Sequence, residues 1–149
     1  MPYYYFDSTA LVKRYSPELG TQVINRLVTK RGNCAIVGTT SLAEFCACFS
    51  RKTKQGELTR DDWYSVLFKF ESECERGGFH YVAPTPYTFG LVKRLSLEFP
   101  HLKSPQLIHL GLALELRPLR ITLVSSDRPL LTACRPLRVN ALNPEDEAG

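Results

Sequence analysis

Tyr3-Tyr4-Tyr5-Phe6-Asp7-Ser8-Thr9-Ala10-Leu11-Val12 opens the chain with its most telling stretch. Four consecutive aromatic residues read as a short strand buried on both faces. Asp7-Ser8-Thr9 then supplies helix-capping side chains ahead of the apolar Ala10, Leu11 and Val12. A buried strand running straight into a helix, with an acid at the junction, is the start of a strand–helix–strand unit.

The same pattern recurs outward from there. Gly20 to Lys30 carries Val23, Ile24, Leu27 and Val28 at helical spacing, and Ala35-Ile36-Val37-Gly38 is a second short strand. A long helix is expected from Leu42 to Lys54, and another from Thr59 to Arg76, stopped by Gly77-Gly78. Phe79 to Ala83 is a third strand. Helices from Pro86 to Phe99 and from Ser104-Pro105 to Leu116 follow. Arg120 to Ser125 reads as a fourth strand, Asp127 to Cys134 as a short helix, and Leu137 to Leu142 as a last strand. Short apolar strands alternating with helices imply an α/β fold with a central, mainly parallel sheet of about five strands covered on both faces. A chain of 149 residues without linker, repeat or low-complexity segment suits one domain. Residues 1–144 are assigned to it, and 145–149 to an acidic C-terminal tail expected to fray.

Composition excludes several classes. Hydrophobic residues are 44% and charged residues 23%, the balance of a packed domain and not of a disordered chain. No stretch has the ~20 apolar residues of a membrane span. The first residues lack the basic and then apolar regions of a signal peptide, so a cytoplasmic location is expected. The five cysteines are scattered and include no C-x-x-C pair, which reads as reduced thiols and not as a zinc site. No phosphate loop, dinucleotide fingerprint or serine nucleophile elbow is present. The net charge is +4. Glu145, Asp146 and Glu147 lie in the last five residues, so the body before them is more basic still, which favours an anionic partner such as nucleic acid.

In sheets of this kind, ligands bind beyond the carboxyl ends of the strands. Asp7 follows the first strand, Glu44 lies shortly after the second, and Asp127 follows the fourth in Val124-Ser125-Ser126-Asp127. Converged carboxylates repel one another and need a cation. Mg²⁺ or Mn²⁺ suits an all-oxygen site. Each acid also has a local use. Asp7 and Asp127 are good N-caps, and Ser41-Leu42-Ala43-Glu44 has the form of a capping box. Both uses stay open at this point. An unrelated α/β protein whose acids are only helix caps is therefore a further alternative.

Four segments resemble the motifs of PIN domains, and in particular of VapC-like toxins of type II toxin–antitoxin systems. They are Phe6-Asp7-Ser8-Thr9-Ala10-Leu11-Val12-Lys13, Ser41-Leu42-Ala43-Glu44, Leu102-Lys103-Ser104-Pro105-Gln106-Leu107-Ile108-His109-Leu110, and Val124-Ser125-Ser126-Asp127-Arg128. The ending Val139-Asn140-Ala141-Leu142-Asn143-Pro144 is similar too. The resemblance implies a single PIN-like domain and a Mg²⁺- or Mn²⁺-dependent endoribonuclease acting on RNA. It also implies a cognate antitoxin and a homodimer. By position, Asp7, Glu44 and Asp127 would be the catalytic and metal-site acids, with Thr9 a supporting hydroxyl.

The third motif departs from the family pattern. Gln106 stands where the family carries an aspartate. A glutamine carbonyl is a weaker ligand for a hard cation than a carboxylate, and three acids attract a divalent ion less than four. The chain then reads as an impaired ribonuclease with Gln106 as a weak ligand, or as a degenerate module that binds RNA or a protein without cutting. An introduced substitution at Gln106 is the third possibility. His109 shares a helix face with Gln106 and could lean toward the site, but a core histidine is the expected reading. Lys13, Arg14, Arg51 and Lys52 are the candidate RNA-binding residues. Trp63, Tyr64, Phe68 and Phe70 could stack bases, but at helical spacing they read as core or as a dimer or antitoxin interface.

Overall fold

The computed structural model describes residues 1–146. Its sheet has five parallel strands in the order β3-β2-β1-β4-β5. These are β1 (Tyr3–Phe6), β2 (Cys34–Gly38), β3 (His80–Val82), β4 (Thr122–Val124) and β5 (Asn140–Leu142). The helices among the described residues are α1 (Ser8–Tyr15), α2 (Thr21–Thr29), α3 (Thr40–Lys54), α4 (Arg60–Glu75), α5 (Pro86–Glu98), α6 (Ser104–Glu115) and α7 (Arg128–Cys134), with one 3₁₀ turn at Arg117–Leu119. The expected elements are all present, with ends shifted by a few residues. The largest shifts are at the last two strands, where the ladder takes up only Thr122–Val124 and Asn140–Leu142.

Side chains of a strand alternate between faces, and two apolar cores follow from that. Tyr5, Ile36 and Leu123 face α5, α6 and α7, where they pack with Leu95, Leu110, Leu112 and Leu130. Phe6, Ala35, Val37 and Val124 face α1 to α4, where they pack with Leu11, Ile24, Phe45, Phe49 and Phe70. Burial on both sides is why these strands read as unbroken apolar runs. The central β1 pairs with β2 from Tyr3 opposite Cys34 to Phe6 opposite Val37, and with β4 from Tyr4 opposite Thr122 to Phe6 opposite Val124. Strand order therefore reverses between β1 and β4, which opens a crevice at their carboxyl ends.

The start of the acidic tail meets the body through ion pairs. Lys13, only 3% exposed, donates to Glu18 at 2.8 Å and to Glu145 at 3.0 Å. Arg128 meets Asp146 at 3.2 Å. Gly20, at φ +93°, admits Pro144 so closely that an added Cβ would lie 3.1 Å from the proline. Glu147 and the rest of the tail lie outside the described residues. No helix of the described residues is long and apolar enough to cross a membrane.

Candidate functional site

Asp7, Glu44 and Asp127 line one cavity of about 450 Å³ at the carboxyl ends of the strands. Their supports come from four parts of the chain. Asp7 is the N-cap of α1, and its Oδ1 accepts the Ala10 N–H at 3.0 Å and the Thr9 hydroxyl at 2.6 Å. Its Oδ2 accepts the Ser125 hydroxyl at 2.5 Å. Ser125 Oγ in turn accepts the backbone N–H of Asp127 at 2.9 Å, so one buried hydroxyl ties the β1 acid to the β4 acid. Thr9 Oγ1 accepts the Ser126 N–H at 2.9 Å and closes the same loop. Asp127 caps α7 through Leu130 N–H at 3.3 Å. Capping and lining the cavity are thus one geometry for both aspartates.

Glu44 does not complete the expected capping box. Helix α3 begins at Thr40, one residue ahead of Ser41. Glu44 therefore sits beyond the third helical position, out of reach of the cap. Its Oε2 accepts the Ser8 hydroxyl at 2.9 Å, and its Oε1 lies 2.7 Å from Nε2 of His109. His109 is 2% exposed, so it is a buried histidine as expected, but it also lines the cavity.

The environments push two of the acids in opposite directions. Burial raises the Asp7 carboxyl above the usual aspartate range, against the pull of His109 and the hydrogen bonds from Ser125, Thr9 and Ala10. Burial also works to raise Glu44, but the hydrogen bond and charge of His109 and the Ser8 hydroxyl outweigh it and leave Glu44 lowered.

Gln106 is not placed as an oxygen ligand. Its Oε1 accepts the backbone N–H of Lys103 at 2.7 Å, closing the first turn of α6. Its Nε2 donates to Asp127 Oδ2 at 2.8 Å. A backbone N–H can only donate, so the amide oxygen is committed there and the NH₂ end faces the acid.

A divalent cation fits this site in the kind of its donors. Three carboxylates and the hydroxyls of Ser8 and Thr9 are hard oxygens. The acids are not drawn in around a point, however. Among the described residues no three His, Cys, Asp or Glu side chains stand close enough to share an ion. All six carboxylate oxygens already accept from the protein. Each carboxylate oxygen has two lone pairs; only Asp7 Oδ1 accepts twice, so an ion would share the other oxygens with these donors.

Of the candidate RNA-binding residues, Arg51 lines the cavity, joined by Lys103. Lys52 lies off it, 3.3 Å from Glu57. Lys13 and Arg14 are engaged elsewhere, against the expectation of an RNA contact. Lys13 is buried against Glu18 and Glu145. Arg14 is taken by Glu73 and by Asn25, the latter at 2.8 Å. Both basic side chains are spent on the fold. Phe70 is core, Trp63 is half-buried, and Tyr64 and Phe68 are exposed on α4.

Sequence reasoning missed Ser125 and undervalued His109. Ser125 lies two residues before Asp127 inside a motif already singled out. His109 lies one turn beyond Gln106 on the same helix face.

No family model matches the sequence, and no curated protein matches it. Solved structures do share the fold. PAE2754 from Pyrobaculum aerophilum superposes with a TM-score of 0.63 at 15% identity, covering 95% of this chain and 83% of that one. A toxin–antitoxin complex from Klebsiella pneumoniae gives 0.62 at 15% identity, with 95% and 97% covered. VapBC2 from Rickettsia felis, bound to a DNA fragment from their promoter, gives 0.63 at 13% identity, with 95% and 98% covered. The chain has the PIN-like α/β fold that its motifs led one to expect. At such identities the likeness is one of fold.

Proposed function

We propose that the chain is a PIN-type endoribonuclease of the VapC-like toxin kind, weakened by Gln106. The observation that carries this reading is the meeting of Asp7, Glu44 and Asp127, from three elements distant in sequence, in one cavity edged by Arg51 and Lys103. Asp7, Glu44 and Asp127 would hold Mg²⁺ or Mn²⁺. When bound, such an ion activates water and offsets charge at a phosphodiester. The chain's own groups do the rest. Arg51 and Lys103 attract the RNA backbone. Glu44, held low by His109 and Ser8, stays ionised. Asp7, raised by burial, keeps a proton more readily until a positive charge stands beside it. Gln106 presents an N–H dipole where a fourth negative charge would draw the ion in.

Partners belong to the same reading. Two of the similar structures are described as a toxin–antitoxin complex and as VapBC2 on DNA, which supports a protein antitoxin for this chain. The exposed Tyr64 and Phe68 on α4 offer an apolar face to an antitoxin or to a second copy.

The test is RNA cleavage with Mn²⁺ by the wild type, Asp7→Asn and Gln106→Asp. Slow cleavage by the wild type, lost in Asp7→Asn and accelerated in Gln106→Asp, is the expected pattern. Cleavage that survives Asp7→Asn or chelation overturns the mechanism. One observation favours a second reading, a module that binds without cutting: every carboxylate oxygen of the site already accepts a hydrogen bond from the protein. Cleavage by Gln106→Asp alone would select it.

A further inference from the structure

A line of buried polar groups runs from the sheet interior into the cavity, and the proposed chemistry gives its innermost member, Tyr5, no role. Tyr5 is fully buried in β1, and its hydroxyl lies 2.7 Å from Nδ1 of His109 in α6. The two rings meet edge-on, 5.8 Å between centroids and 67° between planes. Nε2 of His109 lies 2.7 Å from Glu44 in α3, whose other oxygen holds Ser8. Gly38 in β2 makes the room. A Cβ there would stand 2.6 Å from the Tyr5 hydroxyl oxygen.

The direction of each hydrogen bond follows by elimination. An ionised Glu44 only accepts, so Nε2 carries the hydrogen. In a neutral imidazole Nδ1 is then the acceptor, and the Tyr5 hydroxyl donates to it. A tyrosine hydroxyl keeps its hydrogen well below about pH 10, so it has one to give. We propose that Tyr5 locks His109 in its Nε2–H tautomer, and that His109 is a positioning residue holding the Glu44 carboxylate in the cavity. The proposal rests on reading Glu44 as an acid of the groove.

The physical need for such a residue is plain. A glutamate beyond the first helical turn has no backbone donor to fix it, and its three side-chain torsions are free to carry it into solvent. Ser8 alone is a partly exposed surface hydroxyl. A donor anchored in the core leaves one orientation, and partners behind a metal-binding group commonly govern its affinity by about 10- to 100-fold.

Two measurements on the full chain test this. Ring ¹⁵N–¹H correlation spectra of the metal-free protein at about pH 8, above the usual histidine range, should show His109 in the Nε2–H form. Tyr5→Phe should increase the Nδ1–H share. An Nδ1–H form or an even mixture in the wild type overturns the lock. Mn²⁺ titration then compares the wild type with His109→Gln, whose amide can still donate to Glu44, and with His109→Leu, which cannot. His109→Leu should bind about tenfold more weakly or worse, and His109→Gln within about threefold of the wild type. If His109→Leu fails to fold, Tyr5→Phe stands in, with an expected loss of about threefold. Equal affinity throughout overturns the positioning role. Absence of Mn²⁺ binding in every form, with His109 in the Nε2–H state, overturns the metal reading of the groove and leaves the Tyr5–His109 lock supported.

Discussion

Gln106 Nε2 donates to Asp127 Oδ2 at 2.8 Å, joining the first turn of α6 to the N-cap of α7. A neutral dipole here neutralises part of what a cation would otherwise offset. Gln106→Asp removes that donor and sets a second carboxylate beside Asp127. Without metal the variant should lose about 1 kcal/mol of stability, the worth of one hydrogen bond. Its Mn²⁺ affinity should rise about tenfold or more, and saturating Mn²⁺ should restore its Tm by mass action. Calorimetric titration and thermal melts measure both. Unchanged affinity would show that Gln106 is not what weakens the site.

Asp7→Asn should separate stability from function. Burial raises the Asp7 carboxyl in the folded state. A group raised on folding contributes stability while protonated, fully present below the ordinary aspartate range and lost as pH climbs through the raised folded value. At neutral pH its buried charge is therefore a cost. Asparagine removes the charge and keeps an oxygen for Thr9 and Ala10. The variant should melt above the wild type at pH 7, and the difference should shrink as pH falls toward the ordinary aspartate range, about 4. Metal-dependent cleavage should fall about 100-fold or more. A variant less stable than the wild type at pH 7 would contradict the sign.

The middle of the sheet was legible because β1, β2 and β4 are buried on both faces and therefore unbroken in sequence. Tyr3–Phe6 was readable to the residue. Asp7 and Asp127 were legible because capping a helix and lining the crevice require the same place, directly after a strand. Glu44 was legible in position but not in its bonds. The two-residue difference in where α3 starts, Thr40 and not Leu42, decides between a local cap and hydrogen bonds with Ser8 and His109. The Tyr5–His109 pair joins residues 104 apart, and no local spacing encodes it. Lys13 and Arg14 misled for the same reason. Their charge is visible in sequence, whereas the acids that consume it, Glu145 and Glu73, are 132 and 59 residues away.

The Arg14–Glu73 pair should be a main acid-sensitive support of the helical layer. Glu73 accepts from Arg14 Nε at 2.7 Å and from Tyr15 at 2.5 Å. Burial works to raise Glu73, but the hydrogen bonds from Arg14 and Tyr15 and the arginine charge outweigh it and leave it lowered. A carboxyl lowered on folding contributes stability that is present above its ordinary range and lost as pH falls through the depressed folded value. Glu73→Gln should cost about 2 kcal/mol at pH 7, somewhat less than a fully buried pair. The cost should fade in denaturant titrations below about pH 4, the ordinary glutamate range. A constant difference across that range would mean packing, and not charge, carries the loss.

RNA should follow the groove cations and ignore the buried ones. Arg51 and Lys103 line the acid cavity, whereas Lys13 is 3% exposed and paired with two glutamates. Removing one phosphate-binding cation from a complex with single-stranded RNA lowers the slope of log affinity against log salt by about 0.7. Arg51→Ala and Lys103→Ala should each reduce the slope by that amount in chelator, where no cleavage intervenes. Lys13→Met should leave the slope unchanged yet cost about 2 kcal/mol of stability, because it strands Glu18 and Glu145 without their shared cation. Fluorescence anisotropy across a salt series, with melts alongside, resolves the two classes. If Lys13→Met lowers the slope and Arg51→Ala does not, RNA binds away from the acids, and the cavity is not its cutting site.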